Sequence, residues 1–375
     1  MNEIQTSDVL IIGGGIAGAS AAAFGSEEKS VTLLEREAQA GYHTTGRSAA
    51  IYAPSYGPGP IRALTLASGA FFNAPPGGFS DVALLAPRGI LMIATDTQGL
   101  ALDALFAEVG GLSSVRLLEG GQVVAMNPLL RPDYPARGLY DSNGQDIDVN
   151  ALHTGFLRQM RANGGTLITN AGVTAIHREK GLWHVETPAG RFAAPVLINA
   201  AGAWADELAT MAGLAPVGLV PKRRTVAIIP VPQQPETGHL PITVDIDEAF
   251  YLKPDAGRLL ISPADETPSE PCDAQPEELD VAIAVDRIET AFDLSVRRIE
   301  NKWAGLRSFV ADKSPVIGYR PGEDGFFWLA GQGGYGIQTS PAIGRLVAAL
   351  IAERPVPDEL AAHGVRLEDL RPDRF

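Results

Sequence analysis

The run Val9-Leu10-Ile11-Ile12 followed by Gly13-Gly14-Gly15-Ile16-Ala17-Gly18 limits what this chain can fold into more than any other segment. Four consecutive apolar residues suit a strand buried on both faces, and the alanine-rich stretch Ile16 to Phe24 reads as a helix. Between them Gly13 permits a tight turn, Gly15 lets backbone approach an anion with no Cβ in the way, and Gly18 lets the helix pack closely on the strand. The first N–H groups of the helix have no acceptor within it and face that anion. A second strand, Ser30 to Glu35, completes a strand-helix-strand unit of about thirty residues, the size of a right-handed parallel crossover. Glu35 closes the unit 22 residues after Gly13, where a carboxylate accepts the hydroxyls of an adenosine ribose. Gly25 and Lys29 break the usual pattern, one where a large aliphatic residue packs on the sheet and the other where a glycine ends the helix.

Further along, Tyr52 to Pro76 is rich in Pro and Gly and reads as a crossing into a second domain, followed by strands at Val82 to Ala86 and Ile90 to Ala94. A helix from Asn150 to Asn163, broken by Gly164-Gly165 and followed by strand Thr166 to Thr169, returns the chain to the first domain. Strands Trp183 to Glu186 and Pro195 to Asn199 then lead into a second glycine turn, Ala200-Ala201-Gly202-Ala203-Trp204. Alternating segments between 215 and 312 suit an antiparallel sheet with one solvated face. Strand Phe326 to Ala330, the turn Gly331-Gln332-Gly333-Gly334-Tyr335-Gly336 and a helix from Thr339 to Ile351 end the ordered pattern, with a polar cap after Pro355. The predicted fold is α/β: a discontinuous Rossmann-like domain from 1–75, 145–214 and 313–375, and an α+β substrate-binding domain on an antiparallel sheet from 76–144 and 215–312.

The first glycine turn does not separate FAD from NAD. The second strand-to-helix glycine turn, Gly331 to Gly336, does, because a flavin is long and its ring system needs a dipole of its own. Two such turns hold both ends of non-covalently bound FAD. A formal net charge of −14 repels a phosphate backbone and excludes nucleic acid as a partner. The single cysteine, Cys272, cannot form an internal disulfide and has no neighbours with which to build a metal site. With an acidic N-terminus and no transmembrane segment, the expected location is the cytoplasm or the periphery of the inner membrane.

In Gly13 to Gly18, Leu34-Glu35-Arg36-Glu37, Gly46-Arg47-Ser48-Ala49-Ala50, Asn199 to Trp204 and Gly331 to Gly336, the chain resembles the FAD-dependent D-amino-acid oxidase superfamily over nearly its whole length. Longer strings, Pro221-Lys222-Arg223-Arg224, Phe250 to Gly257 and Trp303 to Asp312, are most similar to bacterial D-arginine dehydrogenases and their broad-specificity relatives. The resemblance implies that cofactor contacts come from Gly13, Gly15, Ile16, Ala17, Gly18, Glu35 and Arg36, and from Gly46, Arg47, Ser48, Ala49 and Ala50. It adds Val173 through its backbone, Ala201, Gly202 and Trp204, and Gly331, Gly333, Gly334, Tyr335, Gly336, Ile337 and Gln338. It further implies an arginine pair, Arg224 and Arg307, with Tyr56 and Tyr251, around a substrate carboxylate, and the Gly334 carbonyl facing the amine. The chemistry suits them, since a guanidinium fork fixes a carboxylate with two parallel hydrogen bonds and a tyrosine hydroxyl adds a third.

Two departures narrow the expectation. The carboxylate that meets a cationic side chain in the arginine-active relatives corresponds to Ile90, and a site histidine corresponds to Ile51. An unpaired buried cation costs several kcal/mol, so about the same penalty opposes D-arginine here. His43, in the loop beside the cofactor phosphates, reads as structural. The implied reaction is oxidative deamination of a D-amino acid with an apolar or small side chain, giving a 2-oxo acid and ammonia. Rival readings are a glycine, sarcosine or cyclic imino acid oxidase of the same fold, and a flavoprotein that keeps FAD only structurally. The electron acceptor, a quinone or electron-transfer chain or O2, is not written in any motif.

Overall fold

The computed structural model describes residues 4–232 and 236–375, so Met1 to Glu3 of the acidic start lie outside it. The strand Val9–Ile12 is fully buried and sits third in a six-stranded sheet. Its neighbours are Val31–Leu34 on one side and Val196–Asn199 on the other, both parallel. Thr166–Ile168 and Phe326–Ala330 extend the parallel run, and Val316–Tyr319 closes one edge antiparallel. Alternation explains why such strands are apolar throughout. Val9 and Ile11 point to a core shared with the helices Ile16–Gly25, Gly59–Asn73, Val149–Ala162 and Gly336–Ile351. Leu10 and Ile12 point to the opposite face, onto Trp183, Val185 and Phe192 of a four-stranded sheet. That smaller sheet pairs Ile4–Thr6 with Gly190–Ala194, a strand the sequence reading did not anticipate.

The second region is built on a nine-stranded, mainly antiparallel sheet that draws strands both from Ile90–Asp141 and from Val220–Phe309. Its long central pair, Val220–Ile229 and Asn301–Phe309, runs antiparallel with Lys222 opposite Arg307 and Arg224 opposite Gly305. One parallel pair, Ile242–Asp245 with Ile90–Ala94, interrupts the antiparallel pattern. The architecture is the expected one, a Rossmann-like domain with a second, α+β domain on a mainly antiparallel sheet.

Several local expectations need correction. The stretch read as a Pro/Gly crossing holds the 15-residue helix Gly59–Asn73, because proline is tolerated in a first turn and Ile61, Leu64, Ser68 and Phe72 form a buried stripe behind it. The helix Glu278–Ala291 lies inside the region read as all strand, with Val281, Ala284, Ile288 and Ala291 buried at helical spacing. The expected strand from Val82 is displaced to Leu85–Pro87, and Val82 is exposed. The last helix begins at Gly336 rather than Thr339 and carries Pro341 inside it, where the Ala342 N–H donates to Ser68 Oγ at 3.1 Å. The tail is more than a polar cap: Leu360, Val365 and Leu370 are buried, and the Leu370 carbonyl accepts from the Ile317 N–H at 2.8 Å. Gly25 also gains a reason, since a Cβ there would stand 3.3 Å from Ile351 Cδ1 of that last helix.

Candidate active site

A long cleft runs from the first glycine turn to the last one, between the six-stranded sheet and the central strand pair of the nine-stranded sheet. At its first end the turn conforms to the steric reading. Gly13 has φ +109°, and a Cβ on it would fall 2.3 Å from the Ala200 carbonyl oxygen; a Cβ on Gly18 would fall 1.9 Å from the Gly13 oxygen. Both positions therefore accept only glycine. Glu35 is buried, accepting the Gly14 N–H at 2.8 Å on Oε2 and the Glu37 N–H at 2.8 Å on Oε1. A carboxylate has about four lone-pair positions, so two such bonds leave room for ribose hydroxyls. Thr45 Oγ1 accepts the Ile16 N–H at 2.9 Å, and His153 Nε2 bonds the Gly14 carbonyl at 2.8 Å. Neither residue was anticipated, because both come from remote segments that only the fold brings under the turn. Burial holds the His153 pKa below its usual value, so the ring is neutral near pH 7 and donates from Nε2.

Most of the sequence-predicted cofactor residues line this cleft. Gly13, Gly15, Ile16 and Ala17 form its floor, and Glu35, Arg36 and Val173 meet Ala201, Gly202 and Trp204 at the outer end. There the Arg36 guanidinium lies 4.9 Å from the Trp204 ring centre, and the His43 ring packs at a tilt of 52° against the same ring at 4.8 Å while Nε2 meets Glu37 at 2.9 Å. Arg47, Ser48 and Ala49 line the middle, but the Arg47 guanidinium is turned toward the Ala274 and Ala304 carbonyls and Asp273. Gly18, Gly46, Ala50, Tyr335 and Gln338 stand behind the lining. Gly46 packs on the Gly41 carbonyl, Ala50 packs against the first core, and buried Gln338 accepts the Ala53 N–H at 3.0 Å.

At the inner end Gly331, Gly333, Gly334, Gly336 and Ile337 line the cleft. The turn lies directly on the strand Asn301–Phe309: the Gly333 N–H donates to the Ser308 carbonyl at 3.0 Å, and a Cβ on Gly333, at φ +55°, would sit 2.1 Å from Phe309. Here Arg224, Tyr251 and Arg307 also line the cleft. Cross-strand partners share a face, so the pairing of Lys222 with Arg307 sends Arg307 to the side that Arg224 occupies two residues on. Arg224 donates through Nε to the Asp265 carbonyl at 2.9 Å, but its Nη2 is buried without a hydrogen-bond acceptor. Glu266 approaches that atom at 3.5 Å while serving Lys222 at 2.8 Å. The Tyr251 hydroxyl is likewise buried and unpartnered, as is Gln332 Nε2, a cleft residue the sequence reading missed. Burial and the like charge of Arg307 lower the Arg224 pKa. Tyr56 stands outside the lining, its ring 5.3 Å from that of Tyr335. Burial, followed by the charge of Glu248, raises both tyrosines, Tyr335 to about 12, so each remains a neutral hydroxyl.

Ile90 and Ile51 join Tyr251, Val226, Ala49 and Tyr56 in one apolar cluster. Orphaned donors in a cleft beside an apolar cluster suit a small anion with an apolar remainder. Among the described residues there is no group that could hold a metal ion and no helix long and apolar enough to cross a membrane.

The steric cradle at Gly13 to Gly18, the second glycine turn and the length of the cleft between them fit FAD. Comparison with known proteins agrees. The FAD dependent oxidoreductase family DAO matches residues 8–350. The chain is 25% identical to the glycine oxidase of Bacillus licheniformis over 94% of this chain and 95% of that one. In structure it is similar to the glycine oxidase of Geobacillus kaustophilus, with TM-score 0.80 and 24% identity over 94% and 96% of the two chains. It is also similar to an FAD-bound L-alpha-glycerophosphate oxidase from Mycoplasma pneumoniae, with TM-score 0.82 and 21% identity over 93% and 95%. The chain belongs to the DAO family of FAD-dependent oxidoreductases.

Proposed function

We propose that this protein oxidises a small or apolar α-amino acid at its Cα–N bond, a D-amino acid or glycine. The observation that carries the reading is the pair of buried Arg224 and half-buried Arg307 in the cleft lining, with Arg224 Nη2 and the Tyr251 hydroxyl buried without a hydrogen-bond partner beside the second glycine turn. A carboxylate supplies the acceptors these donors lack, and desolvated charge-assisted hydrogen bonds are the strong ones. Gly13 to Gly18, Glu35, Val173 and Gly331 to Ile337 would hold FAD, which would supply a two-electron acceptor for the Cα hydride; the resulting imino acid would be hydrolysed by water to a 2-oxo acid and ammonia.

The chain's own part is to bind, orient and exclude water. Arg224, Arg307 and Tyr251 fix the carboxylate, with Tyr56 behind them as a second hydroxyl, and the Gly334 carbonyl accepts from the amine. Orientation of this kind accounts for much of the acceleration in reactions that need no nucleophile. Ile51 offers no general base, so water takes the amine proton. Ile51 and Ile90 leave no partner for a cationic side chain and favour apolar or small ones.

The likeness to a glycine oxidase favours glycine; a sarcosine or cyclic imino acid oxidase of the same fold is the alternative reading. Retention of Arg224 and Arg307 speaks against a purely structural role for FAD. Either a quinone-linked chain or O2 can take the electrons on. The test is anaerobic mixing with D-alanine, D-leucine, D-proline, glycine and sarcosine, followed by repetition in Arg307→Met. Bleaching by one of these in the native protein, and its loss in the variant with FAD retained, supports the reading; bleaching that survives in Arg307→Met overturns it.

A further inference from the structure

We infer that Gln332 is a cofactor-binding residue whose side-chain amide donates to the flavin-side phosphate of FAD, where the cofactor crosses from the first glycine turn to the last. The inference concerns the cofactor and holds whichever amine is the substrate.

Three cleft residues bury a side-chain donor that lacks an acceptor among the described residues: Arg224 at Nη2, Tyr251 at its hydroxyl and Gln332 at Nε2. The first two belong to strands of the nine-stranded sheet, Val220–Ile229 and Tyr251–Asp255. Gln332 stands apart from them, in the last glycine turn. Leaving a buried donor unmet is costly, and native structures meet it with a ligand or water where the chain itself does not.

The turn has two sides. Gly333 and Gly334 lie against the strand Asn301–Phe309, where a Cβ would stand 2.1 Å from Phe309 Cε1 and 2.6 Å from Arg307 Nη1. Gln332 lies against the helices instead. A Cβ on Gly336, the first residue of the helix Gly336–Ile351, would stand 3.2 Å from Gln332 Cβ, 3.8 Å from its Cγ and 3.6 Å from Ile16 Cγ2. Ile16 opens the helix Ile16–Gly25, so the Gln332 stem is seated where the first residues of two helices meet at the cleft, in room that a side chain at 336 would take. The backbone fixes this seat, since the Gln332 carbonyl accepts the Tyr335 N–H at 2.9 Å and the next N–H, of Gly333, donates to the Ser308 carbonyl at 3.0 Å. With Glu35 taking the adenosine end, the pyrophosphate of FAD falls at the start of Ile16–Gly25, and the phosphate nearer the last glycine turn is the one that carries the flavin. Arg47, which lines the middle of the cleft, turns its guanidinium to the Ala274 and Ala304 carbonyls and Asp273. A neutral amide is thus the side-chain donor left for that phosphate, and an anionic oxygen is the acceptor the amide lacks.

Dissociation of FAD from the holoenzyme, read as flavin fluorescence released on dilution, tests the assignment in three variants of similar side-chain length. Gln332→Met removes the donor and should weaken FAD binding about tenfold, as expected for one hydrogen bond to a charged acceptor. Gln332→Glu sets a carboxylate against the phosphate and should weaken it about tenfold further. Gln332→Lys restores a donor and adds a positive charge, and should hold FAD at least as tightly as the native protein does. This order follows the sign of the charge at 332, which a folding defect would not reproduce. Native affinity in Gln332→Met, equal losses in all three variants, or tighter binding in Gln332→Glu than in Gln332→Met, as a ribityl hydroxyl partner would give, overturns the inference.

Discussion

Gly334 lies so close to Arg307 that a Cβ on it would stand 2.6 Å from the guanidinium Nη1. The last glycine turn and Arg307 are therefore one steric unit. Gly334→Ala should push the Arg307 fork off its ligand, lowering kcat/KM for the best amine by about a hundredfold, since displacements near 1 Å cost that much. FAD content should be unchanged. Stopped-flow flavin reduction on purified, fully loaded protein makes the check; an unchanged rate would show that Arg307 does not need its present position.

Glu35→Ala leaves the Gly14 and Glu37 N–H groups without their carboxylate acceptor. Each unsatisfied buried donor costs about 1–3 kcal/mol, so FAD should dissociate at least tenfold more readily. Flavin fluorescence released on dilution measures it. Retention equal to the native protein would mean that the first glycine turn is shaped without Glu35.

His153 gives a pH dependence of defined sign. Its pKa in the folded protein is lowered by burial, so the native state binds fewer protons than the unfolded chain below pH 6.5. The stabilisation is complete above about pH 6.5 and is lost as pH falls from there through the lowered native pKa. Between pH 7 and 5.5 the Tm of the native protein should drop more steeply than that of His153→Gln, which has no such proton to take up. Parallel pH profiles would refute the assignment.

Ile90 is buried, faces the same sheet side as Tyr251 and shares its apolar cluster. Ile90→Glu should lower Tm by several degrees, the cost of an unpaired buried charge, and raise activity on D-arginine relative to D-leucine. Turnover ratios for the two amino acids decide the matter. No change in the ratio would remove Ile90 from the specificity account.

What the sequence disclosed depended on the range of the interactions involved. The Val9 to Gly18 turn was legible because strand, turn and helix are contiguous and each glycine answers a local steric demand. Phe326 to Gly336 was legible for the same reason. The helix Gly59–Asn73 was hidden by Pro58, Pro60 and the glycines beside them, although Ile61, Leu64 and Ser68 already carried helical spacing. The buried tail residues Leu360, Val365 and Leu370 are too widely separated by polar residues to reveal a core contact. Arg224 and Arg307 came from family resemblance, whereas their common face follows from a strand register between segments far apart in the chain. His153 and Thr45 had no local signal, because each acts on residues that only the folded chain brings near.

The central claim, that Arg224 and Arg307 hold an amino acid for oxidation, is tested most directly by anaerobic flavin reduction across a panel of D- and L-amino acids, glycine and sarcosine. The account predicts that the yellow protein is bleached by glycine or by small or apolar D-amino acids, and that Arg307→Met, with FAD still bound, is not. A yellow native protein that no amine on the panel bleaches would contradict it.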